Sequence, residues 1–303
     1  MTIAAGFIFK DGILLCADKK HSAQMKLSAS KIFHETYSDG SKSVIVIAGD
    51  VMYARMGMQA IESGIKAIPA AKRTTLGMAK IVRDTVRTLH HGYLFPHPDK
   101  PEVQYLIGLW SPSGGLKLLT TQDTAVNELR GYDCVGAGAY LAHYLIRSLY
   151  QESDKDFDEV LTIAINALQR IKSYDDACGG DSEFVKLMAT GEMSSVETYQ
   201  ITIAEQQSAD IDEAVSDLLL AISRPSATSE SAESALKTFD SSMQILIQRM
   251  KVSETIQSFS KKLESPGPAF TDQVNKVFKK MQQRRERKKL SETKTRDAKR
   301  GLP

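Results

Sequence analysis

The stretch that decides the fold is the beginning of the chain, Thr2-Ile-Ala-Ala-Gly-Phe-Ile-Phe-Lys-Asp-Gly-Ile-Leu-Leu-Cys-Ala-Asp18. Two apolar runs, Thr2–Phe9 and Ile13–Ala17, flank the turn Lys10-Asp11-Gly12. Asp-Gly between two such runs is the strongest short-range signal for a β-hairpin. The hairpin returns the chain, so we expect Asp18 to lie close to Thr2.

In the rest of the first 205 residues, apolar patterns typical of β-strands alternate with apolar spacings typical of α-helices. The run Val44–Ile47 predicts a strand that is buried on both faces. Apolar residues then recur at spacings of three and four, which predicts helices. The predicted strands are Thr2–Phe9, Ile13–Ala17, Lys31–Thr36, Ser43–Ala48, Val103–Trp110, Gly115–Thr121, a stretch ending at Val135, Glu183–Met188 and Val196–Ile203, and the predicted helices begin near Val51, Thr74, Ala139 and Asp158. Each pair of helices can cover one outer face of two stacked sheets, so we predict an α+β fold, a four-layer αββα sandwich over residues 1–205.

Residues 206–303 have a different character and predict a helical extension. Ile211–Ile222, Leu236–Met250 and Phe270–Leu290 are helix candidates, and the last fades into a disordered, basic tail. Residues 276–300 hold 12 Lys/Arg and 3 Asp/Glu, a net charge of +9, while the whole chain carries +2. The basic side chains could contact phosphates, but no aromatic residue is interleaved from Met281 onward, so nucleic-acid binding is not favoured. We expect the extension to pack on the outside of an assembly or to dock a partner.

The composition is that of a globular protein, and the number and spacing of the cysteines indicate the compartment. The hydrophobic fraction is 42% and the charged fraction 25%, ordinary values for a globular protein. The three cysteines are far apart and form no disulfide framework or metal-type pair, which suits a reducing compartment. We found no secretory signal and no apolar run long enough to span a membrane, and therefore expect a cytoplasmic protein. The catalytic chemistry expected from the residues described next needs no metal or organic cofactor.

Four residues suggest a catalytic site. A threonine hydroxyl needs a nearby base, and the α-amine of an N-terminal threonine can serve once Met1 is removed and Thr2 is first. Asp18 follows the second strand, and Lys31 opens the third. A lysine balanced by a carboxylate can polarise a hydroxyl. Gly49 ends the fourth strand, where a backbone N–H can stabilise an oxyanion.

These residues, in this order, resemble the start of a proteasome β-subunit or of its bacterial relatives, which are N-terminal-nucleophile hydrolases. Val135-Gly-Ala-Gly-Ala139 is similar to the family's Gly-Ser-Gly turn, and Asp175-Asp-Ala-Cys-Gly-Gly180 to its Asp-Ala-x-Ser-Gly-Gly segment. The likeness spans about residues 2–203. It implies a threonine-type peptidase that cleaves peptide bonds through an acyl-enzyme on Thr2.

The resemblance also implies further site residues and partners. Asp175 matches a second supporting carboxylate. Ser22 falls where the family pairs with substrate backbone, and Ile47 where it lines the pocket for the side chain before the cut. Asp50, which replaces a second glycine, joins these substrate-facing positions. A ring-forming homo-oligomer and a peptide or protein substrate are implied, while an ATP-driven unfolding partner or an assembly partner stays open.

The sequence departs from the family at two supporting positions. Ala137 replaces the serine of the Gly-Ser-Gly turn, and Cys178, a weaker hydrogen-bonding residue, replaces the next serine. Two alternatives therefore stay open. One is a catalytically inactive structural or assembly subunit, and the other is a non-proteolytic amidase acting on a small molecule.

Overall fold

The computed structural model describes residues 2–22, 26–151 and 154–264. Within these ranges, twelve strands form two five-stranded sheets and one two-stranded hairpin. The strands are β1 (Ala4–Phe9), β2 (Gly12–Asp18), β3 (Lys20–Ser22), β4 (Lys26–Ser28), β5 (Ile32–Thr36), β6 (Lys42–Gly49), β7 (Val103–Ser111), β8 (Gly115–Gln122), β9 (Ala125–Glu128), β10 (Tyr132–Val135), β11 (Ser182–Met188) and β12 (Met193–Ser195).

The first sheet holds the N-terminal hairpin. Its strand order is β10-β1-β2-β11-β12, and its neighbouring strands are antiparallel. The predicted hairpin is confirmed, because Phe9 pairs with Gly12 across a two-residue turn and Ala4 pairs with Ala17. The register brings the beginning of β1 to the end of β2.

The second sheet has the order β5-β6-β7-β8-β9 and is also antiparallel. The residues Ser43–Ala48 of β6 are all buried, which confirms the strand predicted from Val44–Ile47. Alternate side chains of this strand face different layers. Ile45 and Ile47 lie in one hydrophobic cluster, whereas Val44 and Val46 lie in another.

Helices cover the outer face of each sheet. In the described residues the helices are α1 (Val51–Ala67), α2 (Thr75–Leu89), α3 (Ala139–Arg147), α4 (Phe157–Tyr174), α5 (Thr198–Ile222) and α6 (Ser229–Glu264). One core lies between α1, α2 and the second sheet, one between α3, α4 and the first sheet, and the third between the two sheets. The four-layer αββα sandwich predicted from the order of elements is thus confirmed.

The strand predicted for Val196–Ile203 is wrong. The strand in this region is the short β12, and α5 begins at Thr198. The many β-branched residues here favour a strand locally, but burial follows the helical period. Ile201 and Ser208 are buried and Ala204 packs against the core under α4, whereas Ile203 is exposed. Tertiary packing of one helix face outweighs the local preference.

The chain divides into two compact units, Met1–Glu213 and Ala214–Pro303. The domain boundary predicted at residue 205 stays a prediction, and α5 runs through that position without a break. The second unit contributes the end of α5 and the helix α6. Both helices are longer than the segments Ile211–Ile222 and Leu236–Met250 that the sequence predicts. The helix predicted at Phe270–Leu290 and the basic tail lie outside the described residues.

None of the helices in the described ranges has an apolar stretch long enough to cross a lipid bilayer.

Candidate active site

The hairpin places Thr2 beside Asp18 through backbone contacts of the neighbouring residue. The amide of Ile3 donates to Asp18 Oδ1 at 3.0 Å, and the amide of Asp18 donates to the Ile3 carbonyl at 3.1 Å. Thr2 itself is 5% exposed. The proximity expected from the Lys10-Asp11-Gly12 turn is therefore present in the fold.

Lys31 forms a buried ion pair with Asp18. Its Nζ donates to Asp18 Oδ1 at 2.7 Å, and both residues are at most 1% exposed. Burial lowers the pKa of Lys31, because desolvation disfavours the ammonium, and the neighbouring Asp18 charge opposes this shift. A lysine of lowered pKa releases its proton more readily than an ordinary lysine does.

The loop after α4 supplies a third donor to Asp18. The amide of Gly179 donates to Asp18 Oδ2 at 2.9 Å. The carboxylate thus accepts hydrogen bonds from Ile3, Lys31 and Gly179. Three donors fix the orientation of this carboxylate.

Asp175 ends α4 and shapes this loop. Its Oδ1 accepts from the amide of Ala177 at 2.8 Å, and its carbonyl accepts from the amide of Cys178 at 2.9 Å. The thiol of Cys178 donates to Asp175 Oδ2 at 3.7 Å, and burial raises its pKa to about 12. The structure therefore joins Asp175 to Cys178 within this loop.

The Gly136-Ala137-Gly138 turn wraps around Thr2. The amide of Gly138 donates to the Thr2 carbonyl at 3.3 Å. Gly136 has a φ of +92°, and a Cβ at this position would lie 2.3 Å from the same carbonyl oxygen. Only glycine allows so close an approach. Ala137, at the tip of the turn, is exposed.

Gly49 ends β6 in a conformation that requires glycine. Its φ is +95°, and a Cβ would meet the Glu102 carbonyl oxygen at 2.0 Å. The next residue, Asp50, caps α1 by accepting from the amides of Met52 and Tyr53. The structure gives Asp50 this capping contact, and its predicted contact with substrate stays a prediction.

The two other residues predicted to face substrate lie in different settings. Ile47 is 3% exposed and packs in the core between the second sheet and the helices α1 and α2. Its amide donates to the Lys31 carbonyl at 3.0 Å, so it adjoins the ion pair through the backbone. Ser22 ends β3 and pairs with Lys26. The predicted roles of both residues remain predictions.

Two residues next to the site were missed from the sequence. Glu183 Oε1 accepts from Ser30 Oγ and from the amides of Lys31 and Ile32, at 2.7–3.1 Å, and so fixes the backbone of the lysine. Gln104 Oε1 accepts from the amide of Gly136 at 2.9 Å. Each is a single polar residue at the start of a strand, and no local pattern distinguishes it from a solvated one.

The four-layer αββα sandwich defines the class of the fold, that of the proteasome-like proteins. The family model described as proteasome subunit matches residues 2–187, and the chain belongs to this family. A proteasome subunit beta from Methanosphaerula palustris is 25% identical over 209 residues, which cover 67% of this chain and 94% of that protein. The resemblance inferred from the motifs is thereby confirmed.

Solved structures resemble the chain in fold. Anbu, described as an ancestral beta-subunit, from Yersinia bercovieri has a TM-score of 0.62 at 12% identity, covering 75% of this chain and 100% of its own. Anbu from Hyphomicrobium sp. strain MC1 has a TM-score of 0.59 at 15% identity, covering 71% and 97%. At these identities, the likeness shows the shared fold alone.

Proposed function

We propose that this protein is a threonine-type peptidase that cleaves peptide bonds through an acyl-enzyme on Thr2. The observation that carries the proposal is the buried Asp18–Lys31 ion pair, 2.7 Å from Nζ to Oδ1, at the end of the hairpin that begins with Thr2. A charge-balanced lysine at an N-terminal threonine is the arrangement that activates a hydroxyl without a histidine.

The proposed mechanism uses residues of the chain alone. With Met1 removed, the free α-amine of Thr2 takes the hydroxyl proton while Oγ1 attacks the substrate carbonyl. Lys31 stabilises the developing alkoxide, and Asp18 balances its charge. The N–H of Gly49 stabilises the oxyanion of the tetrahedral intermediate. The α-ammonium gives its proton to the departing amine, and the regenerated α-amine then activates the water that hydrolyses the ester.

The family membership supports a ring-forming oligomer as part of the proposal, with peptides or unfolded proteins as substrates. Enclosure in a ring would limit access to the site, so an ATP-driven unfolding partner or an assembly partner fits the same picture. We place this activity in the cytoplasm, because the three cysteines of the chain are all free and buried.

Intact-mass analysis and one substitution test the proposal. We expect the purified protein to lack Met1, and an electrophile selective for N-terminal threonine to add one adduct. Thr2→Ala should lose both the adduct and the hydrolysis of fluorogenic peptides, while Thr88→Ala, at an exposed helix threonine, should keep both. A protein that retains Met1, or a Thr2→Ala variant as active as the wild type, would contradict the proposal.

A second candidate, an inactive structural subunit, is favoured by the supporting residues. Ala137 offers no hydroxyl, and the Cys178 thiol reaches Asp175 only at 3.7 Å. Replacing these residues with the serines that the family carries separates the two candidates. Ala137→Ser with Cys178→Ser should raise a measurable activity several-fold, whereas an inactive subunit with Met1 in place should gain none.

A further inference from the structure

Helix α5 is fastened to α4 by three polar contacts. Asn166 Nδ2 donates to Ser208 Oγ, Arg170 Nε donates to Asp212 Oδ2, and Lys172 Nζ donates to Glu205 Oε1, each at 2.7 Å. The partners on α5 are spaced by three and four residues, so they lie on one face of the helix. Ile201, on the same face, is 2% exposed in the core under α4.

The contact at Glu205 differs from the other two because it reaches the first sheet. Ser182 Oγ donates to Glu205 Oε1 at 2.6 Å, and Lys172 Nζ donates to Ser182 Oγ at 3.0 Å. Lys172 also donates to the Gly180 carbonyl at 3.2 Å. Ser182 is 2% exposed, so its hydroxyl depends on these partners. We call Glu205, Lys172 and Ser182 the α5 clamp.

The segment that the α5 clamp holds contacts both members of the buried ion pair. Ser182 stands directly opposite Asp18 in the pairing of β11 with β2. Three residues earlier, the Gly179 amide donates to Asp18 Oδ2. One residue later, Glu183 accepts from the Lys31 amide. A shift of this short segment therefore moves the donor to Asp18 and the support of Lys31 together.

We infer that Glu205 is a positioning residue for the Asp18–Lys31 pair, acting through Ser182 and Lys172, and that α5 thereby sets the geometry of the site. The inference rests on the proposed function for its catalytic consequence. The structural part, that Glu205 immobilises residues 179–183, stands on the hydrogen bonds alone. It makes α5 part of the working enzyme rather than an appendage.

The test compares two alanine substitutions on one face of the full-length protein. Glu205→Ala removes the α5 clamp, and Asp212→Ala removes a docking contact of α5 that has no part in the clamp. In Glu205→Ala we expect kcat to fall about tenfold with KM unchanged, because a small misplacement of catalytic groups slows chemistry without weakening binding. Glu205→Gln retains an acceptor oxygen and should restore most of kcat.

Amide hydrogen exchange gives a readout that needs no activity. Peptides covering residues 178–184 should exchange about fivefold or more faster in Glu205→Ala than in the wild type, and Asp212→Ala should leave them unchanged. Ser182→Ala should reproduce both effects, and it takes the place of Glu205→Ala should that variant not fold. Equal effects of Glu205→Ala and Asp212→Ala, or unchanged exchange in Glu205→Ala, would overturn the inference. If the wild-type protein hydrolyses no peptide while hydrogen exchange responds to the substitutions as expected, the proposed function is contradicted. The structural role of Glu205 in the α5 clamp is then still supported.

Discussion

At the scale of single residues, we expect substitutions of Asp18 and of Lys31, the two members of the buried ion pair, to destabilise the protein by different amounts. Asp18→Ala removes the carboxylate that neutralises the Lys31 ammonium at a site that is 1% exposed, so we expect the free energy of unfolding to fall by about 3–5 kcal/mol. Lys31→Ala should destabilise the protein less, because the Asp18 carboxylate keeps the amides of Ile3 and Gly179. Urea unfolding measures both.

An exposed pair on α2 is the control for this comparison. Lys80 and Asp84 lie four residues apart and are 74% and 53% exposed. Solvent screens such a pair, so Asp84→Ala should leave the urea midpoint almost unchanged. If Lys31→Ala proved more destabilising than Asp18→Ala, the backbone amides would not be sustaining the carboxylate.

The lowered pKa of Lys31 predicts a pH dependence. The α-amine of Thr2 must be deprotonated to act as a base, and its ordinary pKa is about 7.7–8.0. Lys31 must stay protonated to stabilise the alkoxide. Because burial lowers its pKa, it loses its proton at a pH below about 10.4, the usual pKa of lysine. We therefore expect kcat/KM to rise with pH through about 8 and to fall again before about 10.4. A rate that is constant from pH 6 to pH 9 would exclude the α-amine as the base.

The same shift has a defined sign for stability. Because the folded protein releases the Lys31 proton at a lower pH than the unfolded chain does, the unfolded chain binds more protons between the two pKa values. The contribution of Lys31 to the free energy of unfolding therefore rises as the pH increases from its folded pKa to its unfolded pKa. Burying Lys31 is most unfavourable at pH values below the folded pKa.

The residues of the site differ in how well the sequence predicts them. Thr2 and Asp18 come together through a local hairpin, so the Asp11-Gly12 turn was enough to place them. Glu183 contacts residues that precede it by 151–153 positions, and no periodicity carries that information. Asp50 shows another limit, since its position gave no sign that its side chain caps α1, while its predicted contact with substrate stays a prediction.

At the scale of elements, the junction between β6 and α1 gives a sharp test. Gly49 and Gly40 both have positive φ values, +95° and +82°. A Cβ at Gly49 would lie 2.0 Å from the Glu102 carbonyl oxygen, whereas nothing lies within 4 Å of one at Gly40. Gly40→Ala should therefore lower the free energy of unfolding by about 1 kcal/mol, from backbone strain alone.

Gly49→Ala adds a backbone clash to the same strain. We expect it to be several times more destabilising than Gly40→Ala, as measured by thermal unfolding, and to displace the amide proposed for the oxyanion. Equal effects of the two substitutions would mean that the Glu102 carbonyl moves away without penalty.

Hydrophobic patterns predicted most elements because each helix buries one face, while central strands such as β2 and β6 are covered on both faces and form continuous apolar runs. They failed at Val196–Ile203, where a sequence rich in β-branched residues packs Ile201 beneath α4 as part of a helix. The hairpin of β3 and β4 and the strand β9 were not predicted either. They are three or four residues long, too short for an alternating pattern to stand out.

At the scale of the whole molecule, the division after Glu213 predicts where the chain can be shortened. A chain ending at Glu213 keeps the contacts of Glu205, Ser208 and Asp212 with α4, so its melting temperature should stay close to that of the full protein. A chain ending at Glu197 lacks Ile201 and these three contacts. We expect its melting temperature to fall by about 5 °C or more.

Calorimetry on the two shortened chains decides this prediction. A chain ending at Glu213 that melts as early as the one ending at Glu197 would show that the second unit stabilises the first. The predicted domain boundary at residue 205 lies between the two cut points, inside the part of α5 that the first unit needs.

The contacts of Asp18 have one more consequence, for the time at which the surroundings of Thr2 are completed. Its partners are 13, 15 and 161 positions away along the chain, and the farthest, Gly179, arrives only when β11 has paired with β2. While the chain is still being synthesised, Thr2 is already present, but Gly179 and the strand β11, which complete the contacts of Asp18, are not. In the proposed peptidase, the surroundings of Thr2 would therefore be complete only after residues 179–188 have been synthesised.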